Sequence, residues 1–107
     1  RLRPNQDFAT ALEDFCRDHG IRRARIEGGV GSTVGAAFVG GEEILPFATE
    51  VFLDDGRLAA GDDGVVRATL DGGLVDMSGA VARGRLARGL NPVLMTFELV
   101  LVDETTG

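Results

Sequence analysis

The stretch GGVGSTVGAAF, residues 28–38, decides how the chain is read, because two incompatible structures fit its glycines. One is a loop that wraps a phosphate. The other is a connection between strands. A phosphate-binding loop of the G-x-x-x-x-G-K-[ST] type needs a lysine, and all 11 basic residues here are arginine. The dinucleotide pattern G-x-G-x-x-G fails as well, since Gly29-Val30-Gly31-Ser32-Thr33 is followed by Val34. Both motifs also place a helix after the loop to receive the anion, whereas GAAFVG has the look of a strand. The glycines are therefore expected to form a strand-to-strand turn, by positive φ or close backbone approach.

Upstream, DFATALEDFCRDHG places Phe8, Ala11, Leu12, Phe15 and Cys16 at i, i+3, i+4, i+7 and i+8, one face of a helix. Asp7 is the expected N-cap and Gly20 the left-handed residue after the last turn, so the spacing predicts a helix over 7–19. RLRPN before it resembles a strand end. Downstream the period changes to two. Strands are expected over 21–27, 34–39, 47–53, 65–70, 74–77 and 80–86, separated by Gly40-Gly41, Asp54-Asp55-Gly56 and other Gly-Asp clusters. PVLMTFELVLVD, 92–103, is expected to be a long central strand. The fold class that follows is α+β: a mostly antiparallel sheet of six to seven strands with one helix on a face.

The chain has 107 residues, which is the size of one domain, and 44% of them are apolar. No apolar run approaches the ~18–20 residues of a membrane span. It begins at Arg1 without a methionine, so it is expected to be an excerpt of a longer protein. The single cysteine, Cys16, has no internal disulfide partner, which suits a cytoplasmic setting. Net charge is −6, and tryptophan and tyrosine are absent. Direct nucleic-acid binding needs a positive footprint and stacking aromatics, so neither that nor a membrane partner is expected.

Chemistry-bearing side chains are few. His19, the one histidine, falls at the end of the helix, where a protonated ring favours the helix dipole. With Cys16 on the helix face, no transition-metal set is visible. The acid pairs Glu42-Glu43, Asp54-Asp55 and Asp62-Asp63 fall in expected turns. Ser32 and Ser78 lack a G-x-S-x-G elbow. Two features remain. Arg83 and Arg85 in AVARGRLARG point to one face of a strand, a geometry that grips a carboxylate or phosphate. Glu98 lies inside the apolar run VLMTFELVLV, where an acid is costly unless paired with an arginine of this chain or a neighbouring subunit.

The order of these segments, with ATEVFLDDG at 48–56, GAVARGRLARG at 79–89 and NPVLMTFELVLVD at 91–103, resembles the plants-and-prokaryotes-conserved (PPC) domain over about residues 2–102. This domain occurs beside AT-hooks in plant nuclear proteins and alone in many bacteria. The resemblance implies an α+β trimer. It makes Gly28 to Gly35, with Gly29, Gly31 and Ser32, the family's glycine-rich turn and possible pocket lining. It matches Glu50 and Gly56 to the acid and glycine of a family strand, Gly84 to the second glycine of its G-G-[H/S] turn, and Glu98 to an acid of the last strand in bacterial members. Many bacterial members also carry an H-x-H and a further histidine, which together resemble a metal site. Here VVRATL has no histidine, and Arg83-Gly84-Arg85 stands where the glycines and histidine would be. The resemblance thus implies a degenerate bacterial member without metal or cofactor, alone or as one half of a tandem pair. The expected role is a non-enzymatic oligomerisation module. A small-anion site, for binding or for catalysis, at a subunit boundary through Arg83, Arg85 and Glu98 is the alternative, and a transcription-related role through partners is the second.

Overall fold

A computed structural model describes residues 1–40, 43–75, 78–79, 81–88 and 91–105. The elements are helix α1 (Phe8–Asp18) and strands β1 (Arg23–Ala37), β2 (Glu43–Ala60), β3 (Val66–Val75), β4 (Val81–Arg85) and β5 (Val93–Asp103). They form one antiparallel five-stranded sheet in the order β4-β3-β2-β1-β5. The helix packs on one face, against β3 and β2. The fold is α+β, with five strands in place of six to seven.

The excess came from punctuation that does not punctuate. Gly28 to Gly35 lie within β1, so the segments expected at 21–27 and 34–39 are one strand. Asp54-Asp55-Gly56 lies within β2, at a register shift between Leu53 and Asp55. Gly72-Gly73 lies within β3, joining two more expected strands. Met77, Ala80, Gly41 and Glu42, parts of other expected strands, turns and acid pairs, lie outside the described residues. Asp62-Asp63 does sit in the turn between β2 and β3.

Close approach is what these glycines provide. A Cβ on Gly31 would stand 2.3 Å from the Thr96 carbonyl oxygen and 2.6 Å from the Phe97 ring; one on Gly72 would stand 2.1 Å from the Phe52 carbonyl oxygen. Phe97 thereby reaches the core, where its ring meets Phe8 edge-on with centroids 4.2 Å apart. Leu58, Leu70, Leu74, Val51 and Val93 complete the buried centre.

Asp7 caps α1 as the spacing predicts: one carboxylate oxygen accepts from Thr10 N at 3.0 Å, the other from Asn91 N at 3.0 Å. Gly20 takes φ +68° after the last turn. The buried face is rotated from the expected stripe. It comprises Phe8, Ala9, Leu12, Glu13 and Cys16, while Phe15 is 45% exposed and stacks on His19. Burial and the nearby Asp103 charge push the Cys16 thiol above its ordinary pKa.

β5 is an edge strand, not a central one. Its outer side is paired in part by the N-terminal segment, through Leu2–Phe97 and through Asn5 and Gln6 with Val93. The far end of β1 bends over to pair with the residues after β4, by Val39 N to Arg85 O and Ala87 N to Ala37 O. Asn91 locks this crossing. Its side chain accepts from Ala37 N at 2.9 Å and donates to Ala37 O at 3.0 Å and Ala87 O at 2.7 Å, while 1% exposed. Asn91→Ala removes the side-chain partner of the Ala37 N–H and of the Ala87 carbonyl, while Ala37 O keeps the Ala87 N–H, and is expected to destabilise the protein by about 2 kcal/mol, measured by urea unfolding.

In the β2–β3 turn, Arg67 hydrogen bonds, together with the Val65 N–H, lower the Asp63 pKa from 3.8 to about 2. A depressed carboxylate contributes stability above its unfolded pKa and loses it as pH falls through the folded value. The Asp63 side-chain resonance is therefore expected to titrate near pH 2, and Arg67→Gln to move it back toward 3.8.

Candidate functional site

Register places the candidate residues. Directly opposed pairs share a face of the sheet. From β4 across to β5 the pairs run Arg83–Gly73, Gly73–Phe52, Phe52–Val30 and Val30–Glu98. These five residues form one row spanning all five strands on the face that the helix leaves uncovered. The row is cationic at the β4 edge, apolar in the middle and anionic at the β5 edge.

The row has its own local logic. Gly73 lacks a Cβ, which would stand 2.5 Å from the Phe52 ring, so the ring lies over the β3 backbone. The Arg83 guanidinium sits 5.3 Å from the Phe52 ring centroid and is ion-paired with Asp54. The bulge after Leu53 re-aims the chain that carries Asp54. Two pairs along the strands, Arg85 forks onto Asp71 at 3.0 and 3.3 Å. The Asp71 hydrogen bonds and then its charge hold the Arg85 pKa above its usual range. Beside the row, Val75 opposes Val81 and Ser32 opposes Glu50.

Arg83 and Arg85 thus share a face, while Glu98 stands four strand spacings from Arg83, roughly 19 Å. One copy of the chain does not bring the three together. Nor is Glu98 buried: its neighbours Phe97 and Leu99 turn inward and Glu98 turns out, exposed. An apolar run had suggested burial on both faces, but only alternate residues meet the core. Among the described residues no arginine pairs with it. Gly29 and Gly31 lie on the core side, so they do not line this face; Gly28 takes φ +132° at the irregularity in the β1–β5 pairing, and Ser32 is on the uncovered side. Gly84 is packed under Phe38, and Gly56 under Ile26. Glu50 is exposed on the uncovered face.

The valines of this face are exposed in a single chain, while Phe52 is half-buried. Val30 is 62% exposed, and Val81, Val100 and Val75 are exposed as well. Sequence reasoning named none of them, because valines in strands read as core. Among the described residues no three histidine, cysteine, aspartate or glutamate side chains converge as a metal site, and no helix is long and apolar enough to cross a membrane.

Comparison with solved structures defines the class: the chain has a PPC-like fold. It is similar to a PPC protein of Pyrococcus horikoshii, with a TM-score of 0.74 and 23% identity over 94% of this chain and 72% of that one. A Bacteroides thetaiotaomicron protein matches with a TM-score of 0.80 and 18% identity, covering 98% and 76%. A hypothetical protein of Salmonella enterica matches with a TM-score of 0.72 and 29% identity, covering 94% and 71%. No protein-family model matches the sequence. No curated protein matches it.

Proposed function

We propose that this protein is a non-enzymatic assembly module whose uncovered sheet face is covered by further copies of the same chain, with a trimer as the closed form. The observation that carries this reading is the row Arg83–Gly73–Phe52–Val30–Glu98, apolar between two opposite charges, with Val30 exposed and the exposed Val75, Val81 and Val100 beside it on the same face. Exposed, contiguous apolar surface with a polar rim is characteristic of interaction sites. Its charges lie at opposite edges of the sheet, so two copies related head to tail bring Arg83 of one toward Glu98 of the next. A heterologous contact of that kind closes into a ring when its rotation allows. The PPC-like fold supports the same reading.

Light scattering across micromolar concentrations tests it. A mass near three times 11.3 kDa is expected, and a strictly monomeric chain overturns the proposal.

The alternative, a small-anion site at the subunit boundary using Arg83, Arg85 and Glu98, is weaker. Within one chain Glu98 stands four strand spacings from Arg83, and Arg85 is held by both oxygens of Asp71, so an anion site needs assembly first and displacement of an aspartate as well. A role in transcription, suggested by the Bacteroides neighbour's description as a candidate DNA-binding protein, would run through partners, given a net charge of −6.

A further inference from the structure

The uncovered sheet face carries more acids than its arginines neutralise. Asp54, Asp71, Asp55 and Glu27 each have an arginine of their own chain, in Arg83, Arg85, Arg57 and Arg25. Glu98 and Glu50 have none among the described residues. Glu98 ends the row, where the head-to-tail contact brings Arg83 of the next copy toward it. Glu50 stands elsewhere. It lies opposite Val75 of β3 and Ser32 of β1, and two residues before Phe52 on β2. Its diagonal neighbours on the adjacent strands are Gly73 and Val30. A carboxylate is thus set inside the apolar part of the face, exposed in a single chain.

Its own chain offers that carboxylate little compensation once the surface is covered. On the β1 side Ser32 has a hydroxyl, which supplies one hydrogen bond and no charge. On the β3 side Val75 supplies neither. Arg83 lies two strands away and is held by Asp54. Arg85 lies further along the same strand and forks onto Asp71. Moving an ionised carboxylate from water into contact with valine and phenylalanine is costly, and burial favours the neutral acid instead.

We propose, on the footing of that assembly, that burial of this face is coupled to protonation of Glu50, so that the trimer tightens as pH falls. In the free chain Glu50 faces water as a carboxylate. On assembly each chain takes one proton from solvent onto a Glu50 carboxylate oxygen, and the side chain is buried as the neutral acid. A state that takes up protons as it forms gains stability as pH falls. Glu98 differs because it meets a guanidinium across the contact, which favours its charged form. The two unpaired acids of the face therefore divide the work: Glu98 fixes the register between copies, and Glu50 sets how tightly they hold at a given pH.

Light scattering over a dilution series at about pH 8 and about pH 5.5 tests the coupling, in roughly 0.5 M salt so that overall charge repulsion is screened. The native chain is compared with Glu50→Gln and with Asp62→Asn, which removes the same charge from the β2–β3 turn. The native trimer is expected to dissociate at about ten-fold lower concentration, or lower still, at the more acid pH. Glu50→Gln is expected to hold at the higher pH as tightly as the native chain does at the lower, with its pH dependence largely gone. Asp62→Asn is expected to follow the native chain. A trimer that dissociates alike at both pH values overturns the coupling and leaves the trimer standing. So does a Glu50→Gln trimer weaker than the native one, or an Asp62→Asn trimer tightened as much as Glu50→Gln. Three chains that all stay at 11.3 kDa at both pH values overturn the assembly itself and the coupling with it.

Discussion

Gly31→Val is expected to destabilise the protein by at least about 3 kcal/mol, at the upper end of overpacking costs. The obstacle is backbone. Even the first added carbon would stand 2.3 Å from the Thr96 carbonyl oxygen and 2.7 Å from the Phe97 Cα, distances no rotamer relieves. Relief requires β5 to separate from β1, which pulls Phe97 off Phe8 and opens the centre of the core. At about 4–8 °C per kcal/mol for a domain of this size, the Tm falls by roughly 12 °C or more. Gly64→Ala is the informative control. Gly64 also lacks a side chain, and its φ of +78° carries strain for alanine, but nothing lies within 4 Å of the added carbon. Its cost is expected near 1 kcal/mol. Thermal unfolding of both variants measures the difference, and equal losses would mean that the β1 glycines serve φ and not approach.

The second large effect concerns assembly. Val30→Asp places a carboxylate at the middle of the bare row, where Val30 is 62% exposed in one chain. The fold is expected to survive, since the change costs only a local β preference of up to about 1 kcal/mol. Association does not survive it, because an unpaired carboxylate would be buried against an apolar surface. A penalty of about 3 kcal/mol weakens association by more than a hundred-fold. Light scattering then gives a folded species of 11.3 kDa. Charge reversal refines the picture: Glu98→Arg alone weakens association, and Glu98→Arg with Arg83→Glu recovers part of it if these groups meet between copies. Val30→Asp retaining the native mass would exclude this face from the interface.

The helix was legible because its cues are local. Asp7, the apolar spacing of Phe8, Leu12 and Cys16, and Gly20 all act within a few residues of one another, and the structure places the helix at Phe8–Asp18 inside the expected span. Burial of Glu13 in place of Ala11 or Phe15 was not legible. A glutamate on a helix looks solvated until a strand N–H, here that of Ala68, comes within reach. The strand count failed for a related reason. Glycine is a turn signal when only the chain neighbours are known, but in β1, β2 and β3 the glycines answer to Phe97, Ile26 and Phe52 on adjacent strands.

By itself, then, the sequence determined the α+β class, the capped helix, the absence of a phosphate-loop signature and the same-face placement of Arg83 and Arg85. These depend on period and on residue chemistry, both of which are local. Only the tertiary structure decided that the glycine stretch is continuous strand, that β5 is an edge, and that Arg83 and Glu98 terminate one row across the sheet. Those facts rest on register between strands far apart in the chain. A one-residue slip would turn every side chain to the other face, and the register is set by the close passage of Phe97 over Gly31 and of the Phe52 carbonyl over Gly72.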